Sequence, residues 1–193
     1  EMRLFCAYLR TRNYSPHTVE NYARDLRLFF APLAKALHAV SWHDIEHFIQ
    51  RQHQAQLAAT TINRRLQALK HFFEYLVIER QALASNPVKP SHFLRQGRPL
   101  PKKLSQDHVR TLFAQITNPR DHALYLLILR CGLRVSEVAR LRRSDLDWEQ
   151  QSLRIDQGKG RKDRIVYVAA DALAALRTCL VFRPTVVPDD LLF

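Results

Sequence analysis

The sequence predicts a mainly α-helical protein of two units, the second of which contains a small β-hairpin. Apolar residues recur at helical spacing along most of the 193 residues. The stretch "SLRIDQGKGRKDRIVYV", residues 152–168, instead alternates with the period of two that strands show. Four of the nine prolines fall between Pro87 and Pro101, which predicts a linker there. We therefore expect a helical domain over residues 1–86, a linker over 87–101 and a second, α+β unit over 102–193.

Start signals and apolar stripes predict a compact bundle of about four helices before the linker. Ser15 followed by Pro16 is typical of a helix start, and Ser41 with Asp44 indicates a short-acid capping box. A further helix is expected near residues 3–10. Two helices carry apolar stripes that face a core, formed by Val19, Tyr22, Ala23, Leu26, Phe29 and Phe30, and by Ile62, Leu66, Leu69, Phe73 and Leu76.

The charge of the chain favours a polyanionic partner. Thirty Lys and Arg residues against 18 Asp and Glu residues give a formal charge of +12 and a pI of about 10.2. An excess of positive charge of this size is typical of proteins that bind nucleic acid. The alternative, a basic protein that is merely soluble, stays open.

Cysteine usage and hydropathy argue against several other classes of protein. Cys6, Cys131 and Cys179 are odd in number and far apart, so they indicate neither a disulfide framework nor a metal knuckle. No stretch approaches the roughly 18 uncharged apolar residues of a membrane helix, and nothing indicates a secretory leader. We expect a cytoplasmic protein.

One face of the last helix before the linker carries side chains that could read DNA. Asn, Gln and Arg side chains can pair with base edges in a major groove, while Lys holds phosphate. The alternative is an ordinary solvated helix face. The candidate DNA-binding residues on this face are Asn63, Arg64, Gln67, Lys70 and His71.

The linker is basic as well as proline-rich. Six Lys or Arg residues and no acidic residue lie between Arg80 and Gln106. Such a segment could follow a phosphate backbone, or it could be a plain solvated loop. The candidate phosphate contacts here are Arg98, Lys102 and Lys103.

The second unit opens with three predicted helices. Ser105 caps the first, and "RDHALYLLILRCG" predicts a buried helix, apolar nearly all round, that Gly132 ends in a left-handed conformation. A new helix follows at once, with Arg134 at its start, where the helix dipole favours an anion such as phosphate. Glu137, three residues on, could orient the Arg134 guanidinium. The alternative is a purely structural ion pair between these two residues.

The hairpin places a lysine between two glycines. Gly158 and Gly160 flank Lys159 at the predicted turn, where its ammonium could reach a ligand. Arg161, Lys162 and Arg164 follow closely, with Arg161 and Lys162 as candidate DNA contacts. An exposed turn that carries basic residues only for solubility is the alternative. Alternation in the return strand, which contains Ile165, Val166 and Val168, predicts that Tyr167 is a buried packing residue.

Taken together, "CGLRVSEVARL" at 131–141 and "GKGRKDR" at 158–164 resemble the tyrosine recombinase or phage integrase family, close to its Xer-like and integron-like branch. The resemblance runs over the whole chain. "SPHTVENYARDL" and "TTINRRLQALKHFFEYL" look like the helices of that family's SAM-like core-binding domain, and "LSQDHVRTLF" looks like the entry to its catalytic domain. The implied fold is a four-helix core-binding domain followed by the first part of an α+β catalytic domain.

The resemblance implies a DNA strand-exchange enzyme that needs no metal and no cofactor. In this family a tyrosine attacks the scissile phosphate, leaving a 3′-phosphotyrosyl link and a 5′-hydroxyl. Arg134 matches the first catalytic arginine, Lys159 matches the hairpin lysine that protonates the leaving oxygen, and Glu137 matches a supporting acidic position. The implied partners are a duplex recombination site and further protomers, which assemble as a tetramer on DNA.

The chain departs from the family pattern after the hairpin. All nine histidines lie at or before His122, so the expected H-x-x-R motif is missing, and Tyr167 is the one tyrosine beyond Arg134. We expect an incomplete catalytic unit that binds DNA but does not cleave it alone. Two other functions stay open: a DNA-binding regulator on the same scaffold, and a helical interaction protein whose basic surface is incidental.

Overall fold

The computed structural model describes residues 1–33, 35–97, 100, 103–156, 163–181 and 190–193. The chain divides into two compact units, Glu1–Leu100 and Pro101–Phe193. Both are mainly helical, and the second also holds a small antiparallel sheet, which confirms the predicted fold class. Within the described ranges, no helix has the length and the apolar composition that crossing a membrane requires.

Four α-helices lie in the described residues of the first unit. They are α1 (Met2–Thr11), α2 (Pro16–Phe30), α3 (Trp42–Gln54) and α4 (Ala59–Ile78), with short 3-10 turns at Leu37–Ala39 and Pro90–His92. The predicted start of α2 is confirmed, because the Ser15 hydroxyl accepts the Thr18 N–H at 3.1 Å. At α3 the Asp44 carboxylate accepts the Ser41 N–H at 2.8 Å, as the capping box predicts.

Both predicted apolar stripes face the core of the first unit. The five stripe residues of α4 are fully buried, as are Leu26 and Phe29 of α2. Aromatic rings fill much of this core, and Phe29 meets Phe48 of α3 edge to face at 5.4 Å between ring centroids. The stripes therefore place α2, α3 and α4 around one core. The polar face of α4 points away from that core.

The first part of the predicted linker packs on this bundle. Val88 and His92 are buried, and Phe93 and Leu94 pack partly buried against the core. Of the two alternatives, the plain solvated loop is wrong for this part, because Val88, Phe93 and Leu94 gain more by covering the bundle than by staying in water. Arg98 and Lys102 lie outside the described residues, and Lys103 is exposed ahead of the next helix.

Where the structure describes the second unit, it combines four helices with three short strands. The helices are α5 (Gln106–Ala114), α6 (Pro119–Cys131), α7 (Val135–Val138) and α8 (Ala170–Val181). The strands are β1 (Leu146–Asp147), β2 (Ser152–Ile155) and β3 (Arg164–Tyr167), in the antiparallel order β1-β2-β3. The register pairs Leu153 with Val166 and Ile155 with Arg164, which confirms the predicted hairpin.

Helix α6 is buried on one side rather than all round. Ala123 and Leu127 lie in the core with Leu173 and Leu176 of α8. Tyr125 and Leu129 are about half exposed, so the predicted full burial is wrong. The reason is that α6 packs against α8 and α7, and an apolar sequence does not by itself supply a second covering layer.

The outward face of β3 also differs from the prediction. Tyr167 is 78% exposed and Ile165 is exposed too, whereas Val166 lies against the core. Pairing of Val166 with the buried Leu153 decides this, because alternate side chains of a strand leave on opposite faces. Tyr167 is therefore not the buried packing residue that alternation from the apolar letters alone predicts.

Candidate functional site

The junction of α6 and α7 sets the position of Arg134. Gly132 ends α6 with a φ of 61°, the left-handed conformation that the sequence predicts. Leu133 is buried next to it, and Arg134 then precedes α7. The left-handed Gly132 turns the chain sharply, and the buried Leu133 anchors it. The backbone of Arg134 is therefore fixed between Leu133 and α7.

The helix after Arg134 is only one turn long, so its dipole can contribute little to binding an anion. Helix α7 has four residues. The Arg134 N–H donates to Oε2 of Glu137 at 2.8 Å, so a carboxylate of the same turn already accepts one of the N–H groups at the helix start. Any anion binding at this place therefore depends on the side chain of Arg134.

Glu137 lies between two arginines. Arg134 Nη1 donates to Oε1 at 2.7 Å, which confirms the predicted ion pair. Arg164 of β3 donates from Nη1 to Oε1 at 2.9 Å and from Nη2 to Oε2 at 2.8 Å. With the backbone bond from Arg134, the carboxylate accepts four hydrogen bonds, and its side chain is only 4% exposed.

Electrostatics follow from this arrangement. Hydrogen bonds from Arg164 are the largest cause that lowers the pKa of Glu137 to about 2; burial opposes the change, and the bonds from Arg134 add to it. The same contact raises the pKa of Arg164. At neutral pH the group therefore holds two positive charges and one negative charge, with one positive charge in excess.

Arg134 and Arg164 use their guanidinium groups differently. Arg164 gives both Nη atoms to Glu137. Between described residues, the guanidinium of Arg134 makes its hydrogen bond to Glu137 through Nη1 alone, and its side chain is 52% exposed. A half-exposed guanidinium with further N–H donors suits the oxygens of a phosphate.

The base of the hairpin lies at this group. Ile155, the last residue of β2, pairs with Arg164, the first residue of β3, and Arg164 contacts Glu137. The predicted site residues Lys159, Arg161 and Lys162 lie between these strands but outside the described residues. Both strands that flank Lys159 are thus anchored beside Arg134.

Arg164 was not among the candidate site residues predicted from the sequence. The basic residues before Arg164 indicated a ligand contact at the turn. Nothing within a few residues of Arg164 signals a partner 27 positions earlier in the chain. The signal that could have found it is the pairing of Arg164 with Ile155, which depends on the strand register.

The polar face of α4 is bonded within the first unit at two of its predicted positions. Asn63 donates from Nδ2 to the Leu94 carbonyl at 2.8 Å, and Oδ1 accepts the Leu94 N–H at 2.8 Å. Arg64 donates through both Nη atoms to the carboxylate of Asp25, which is fully buried. A base contact by Asn63 or Arg64 would compete with these bonds.

The remaining positions of this face lie together on α4. Gln67 Nε2 is 2.8 Å from His71 Nε2, and His71 Nδ1 is 3.1 Å from the Tyr22 hydroxyl. Burial raises the pKa of Tyr22. Lys70 approaches Glu74 at 3.5 Å, with its side chain 40% exposed. The structure thus brings Gln67, Lys70 and His71 to one partly exposed face.

A resident metal is not indicated by the donor groups. Among the residues that the structure describes, no group of three or more His, Cys, Asp or Glu side chains is placed to hold a metal ion.

Comparison with known sequences links both units to one family. Residues 2–80 match the family described as "Phage integrase, N-terminal SAM-like domain", and residues 102–193 match the "Phage integrase family". The Tyrosine recombinase XerC of Bacillus subtilis is 30% identical over 209 residues, covering all of this chain and 68% of that protein. That of Pseudomonas syringae pv. tomato is 34% identical over 198 residues, covering 96% of this chain and 65% of that protein.

Some relatives are considerably longer than this chain. The chain spans 61% of the Tyrosine recombinase of Thermosipho africanus, to which it is 30% identical over 174 residues.

Solved structures show a similar fold. The Tn1549 transposon integrase in complex with circular intermediate DNA superimposes with a TM-score of 0.72 at 19% identity, over all of this chain and 70% of that chain. A lambda integrase dimer bound to a COC′ core site gives a TM-score of 0.74 at 17% identity, over 92% of this chain and 65% of that chain.

Proposed function

This chain belongs to the tyrosine recombinase family of phage integrases, and we propose that it binds duplex DNA and supplies the first catalytic groups of a site-specific recombinase. The reaction is DNA strand cleavage and rejoining through a 3′-phosphotyrosyl intermediate. The observation that carries the proposal is Arg134, half exposed and oriented by the buried Glu137 at the base of a basic hairpin. Phosphoryl transfer depends on positive charge that is in place before the reaction begins.

Each group has a role in this proposal. Arg134 neutralises charge on the nonbridging oxygens of the scissile phosphate, and Lys159 protonates the leaving 5′-oxygen as a general acid. Glu137 positions Arg134. The family's chemistry uses neither a metal nor an organic cofactor, so we propose none for this protein.

Tyr167 is a poor candidate for the nucleophile. Side chains alternate along β3, so Tyr167 leaves the sheet on the face opposite to Arg164, which contacts Glu137. Because Tyr167 is exposed, burial no longer argues against it as the nucleophile, but its orientation away from Glu137 still does. We propose that residues 1–193 bind DNA without cleaving it, and that the nucleophile belongs to the whole protein.

Duplex DNA is the proposed partner because of charge and relationship. The chain carries a formal charge of +12, and the lambda and Tn1549 integrases were solved with DNA. We propose contacts from Gln67, Lys70 and His71 on α4. Further phosphate contacts are assigned to Arg98, Lys102, Lys103, Arg161 and Lys162. The whole protein is proposed to act in the cytoplasm as a tetramer on two duplexes.

Salt dependence tests the DNA-binding part of the proposal. Duplex affinity of residues 1–193 is measured from low to high salt. Contacts to several phosphates predict a steep linear fall of log affinity with log salt, with a slope of about −0.9 per neutralised phosphate. A helical interaction protein with an incidental basic surface predicts weak binding with little slope.

Cleavage by the whole natural protein tests the catalytic part. Arg134→Ala should abolish formation of the covalent protein–DNA complex while duplex binding stays close to normal. Lys159→Ala should be slow on an ordinary phosphate and should recover on a substrate with a better 5′ leaving group. Normal cleavage by Arg134→Ala would overturn the phosphate role of that residue, and absence of rescue would overturn the general-acid role of Lys159.

A DNA-binding regulator on the same scaffold is the second candidate function. The observation that favours it is the partly exposed α4 face with Gln67 and Lys70, which together with the formal charge of +12 would serve DNA binding without a nucleophile. It predicts that the whole natural protein occupies a specific duplex and never becomes covalently attached to it.

A further inference from the structure

We infer that Arg164 is a positioning residue for the proposed phosphoryl transfer, one that holds Glu137 at two points so that Arg134 presents a fixed, positively charged fork to the phosphate. This inference rests on the proposed function. It goes beyond that function because the resemblance assigns a role in "GKGRKDR" to Lys159 and none to Arg164.

The hydrogen bonds of Glu137 show which arginine does the holding. Arg164 bonds both carboxylate oxygens, at 2.9 and 2.8 Å, in a two-point contact that fixes the plane of the carboxylate. Glu137 can then accept the Arg134 N–H and one N–H of its guanidinium. The carboxylate is thus held at both oxygens from the β3 side, in addition to the bonds that it accepts from Arg134.

Charge gives Arg164 a second effect on Arg134. A buried carboxylate paired with Arg134 alone would cancel the positive charge that phosphate is to meet. Arg164 leaves the group with one excess positive charge, and its fork occupies positions on Glu137 that Arg134 would otherwise take. Arg134 therefore stays bound through Nη1 and keeps further donors for phosphate oxygens.

The location of Arg164 in the chain connects two parts of the site. It is the first residue of β3, directly after the segment that carries Lys159, and it pairs with Ile155 at the end of β2. One side chain thus ties the base of the hairpin to the turn that carries Arg134. Loss of the contact should disturb both proposed catalytic groups together.

A merely structural ion pair would attach β3 to α7 without affecting the chemistry. The two roles differ in what they change. A structural role predicts that Arg164 variants which fold bind DNA and cleave it at the normal rate. A positioning role predicts a slower covalent step with unchanged duplex affinity. The reason is that the variant loses stabilisation of the charge that develops in the transition state, not of bound DNA.

The test uses the whole natural protein and a duplex that the unaltered protein selects from a random-sequence library. Arg164→Gln and Arg164→Lys are compared with Arg130→Gln, which also removes one arginine from an ion pair of the second unit, that with Asp171. The measurements are thermal unfolding, duplex Kd, and the rate at which protein becomes covalently attached to DNA.

We expect Arg164→Gln to slow covalent attachment by about 100-fold, the scale of a small misplacement of a reacting group. Its Kd should stay within about two-fold of normal, because the affinity comes from many phosphate contacts. Arg164→Lys keeps the charge but has a single ammonium. Its rate of covalent attachment should therefore lie between those of the unaltered protein and Arg164→Gln. Arg130→Gln should attach at the normal rate.

A neutral substrate isolates the electrostatic part. A methylphosphonate at the mapped scissile position removes one nonbridging charge, so it should reduce the defect of Arg164→Gln relative to the unaltered protein. A defect of the same size on both substrates would overturn the action through Arg134.

The outcomes separate this inference from the function on which it rests. If the unaltered protein attaches to none of the duplexes that it binds, the proposed recombinase function is overturned, and the role of Arg164 with it. If the unaltered protein attaches and Arg164→Lys does so at the same rate, the two-point hold is overturned alone, even should Arg164→Gln fail to fold.

Discussion

Asn63 of α4 and Leu94 exchange two hydrogen bonds, each 2.8 Å long, between one side-chain amide and one backbone unit. The bonds fasten the segment after the first unit's last 3-10 turn onto the helix that carries the proposed DNA-reading face. Asn63 thus makes internal contacts at a position where the sequence predicted a base contact.

Replacing Asn63 with Ala should destabilise the first unit. The change removes the partners of the Leu94 N–H and C=O, so the free energy of unfolding should fall by about 2 kcal/mol. Urea unfolding followed by fluorescence measures it in a Trp148→Phe background, where Trp42 of the first unit is the one remaining tryptophan. Asn21→Ala, whose amide bonds the exposed Arg24, is the control. Unchanged stability with a relaxed DNA sequence preference would instead support base reading by Asn63.

Replacing Arg64 with Ala should cost more. Asp25 is fully buried, and its carboxylate would lose both hydrogen bonds from the guanidinium and keep an uncompensated charge. Removing one partner of a buried pair costs about 3 kcal/mol. The measurement is again urea unfolding of the first unit. Arg24→Ala on α2 removes the same charge from an exposed site and should change stability by less than about 0.5 kcal/mol. Equal stability of both variants would contradict the structural role of Arg64.

Acid should destabilise the second unit through Glu137. Its pKa in the folded protein is about 2, below the ordinary value of 4.5. Because the unfolded chain takes up the proton first as pH falls, the contribution is complete above about pH 4.5 and is lost toward pH 2. The loss should be about 3 kcal/mol. Unfolding followed by Trp148 fluorescence in a Trp42→Phe background from pH 6 to 2 measures it, and Glu137→Gln should flatten the profile. An equally steep profile in that variant would contradict the assignment.

Lys70 and Gln67 should affect DNA binding in different ways. Lys70→Gln should weaken all duplexes alike and reduce the salt slope by about 1, because one phosphate contact is lost. Gln67→Ala should change which sequences are preferred. Lys35→Gln provides a charge-matched control, because Lys35 pairs with Asp44 at the start of α3 rather than lying on the α4 face. A salt slope that Lys70→Gln and Lys35→Gln lower equally would show that total charge alone matters.

Local features of the fold were predictable from the sequence. The caps at Ser15, Ser41 and Ser105 and the left-handed Gly132 are confirmed because each depends on groups within one turn of chain. The apolar stripe of α4 is confirmed for the same reason, since helical spacing alone decides which residues share a face.

Features that need a partner from a distant part of the chain were harder to predict. Tyr167 is exposed and Leu129 is half exposed although both are apolar or aromatic, because the layer that could cover them is not encoded in their own neighbourhood. Val88 and Leu94 fold back on the bundle although prolines and basic residues surround them.

The two helical units, their caps, the basic charge and the pairing of Arg134 with Glu137 follow from local sequence, because side chains three residues apart come together on a helical turn. That Arg164 completes this group follows from the packing of distant segments. The contact requires β2 and β3 to pair in one register and β3 to pack beside α7, and both depend on burial of Leu153 and Val166 in a shared core.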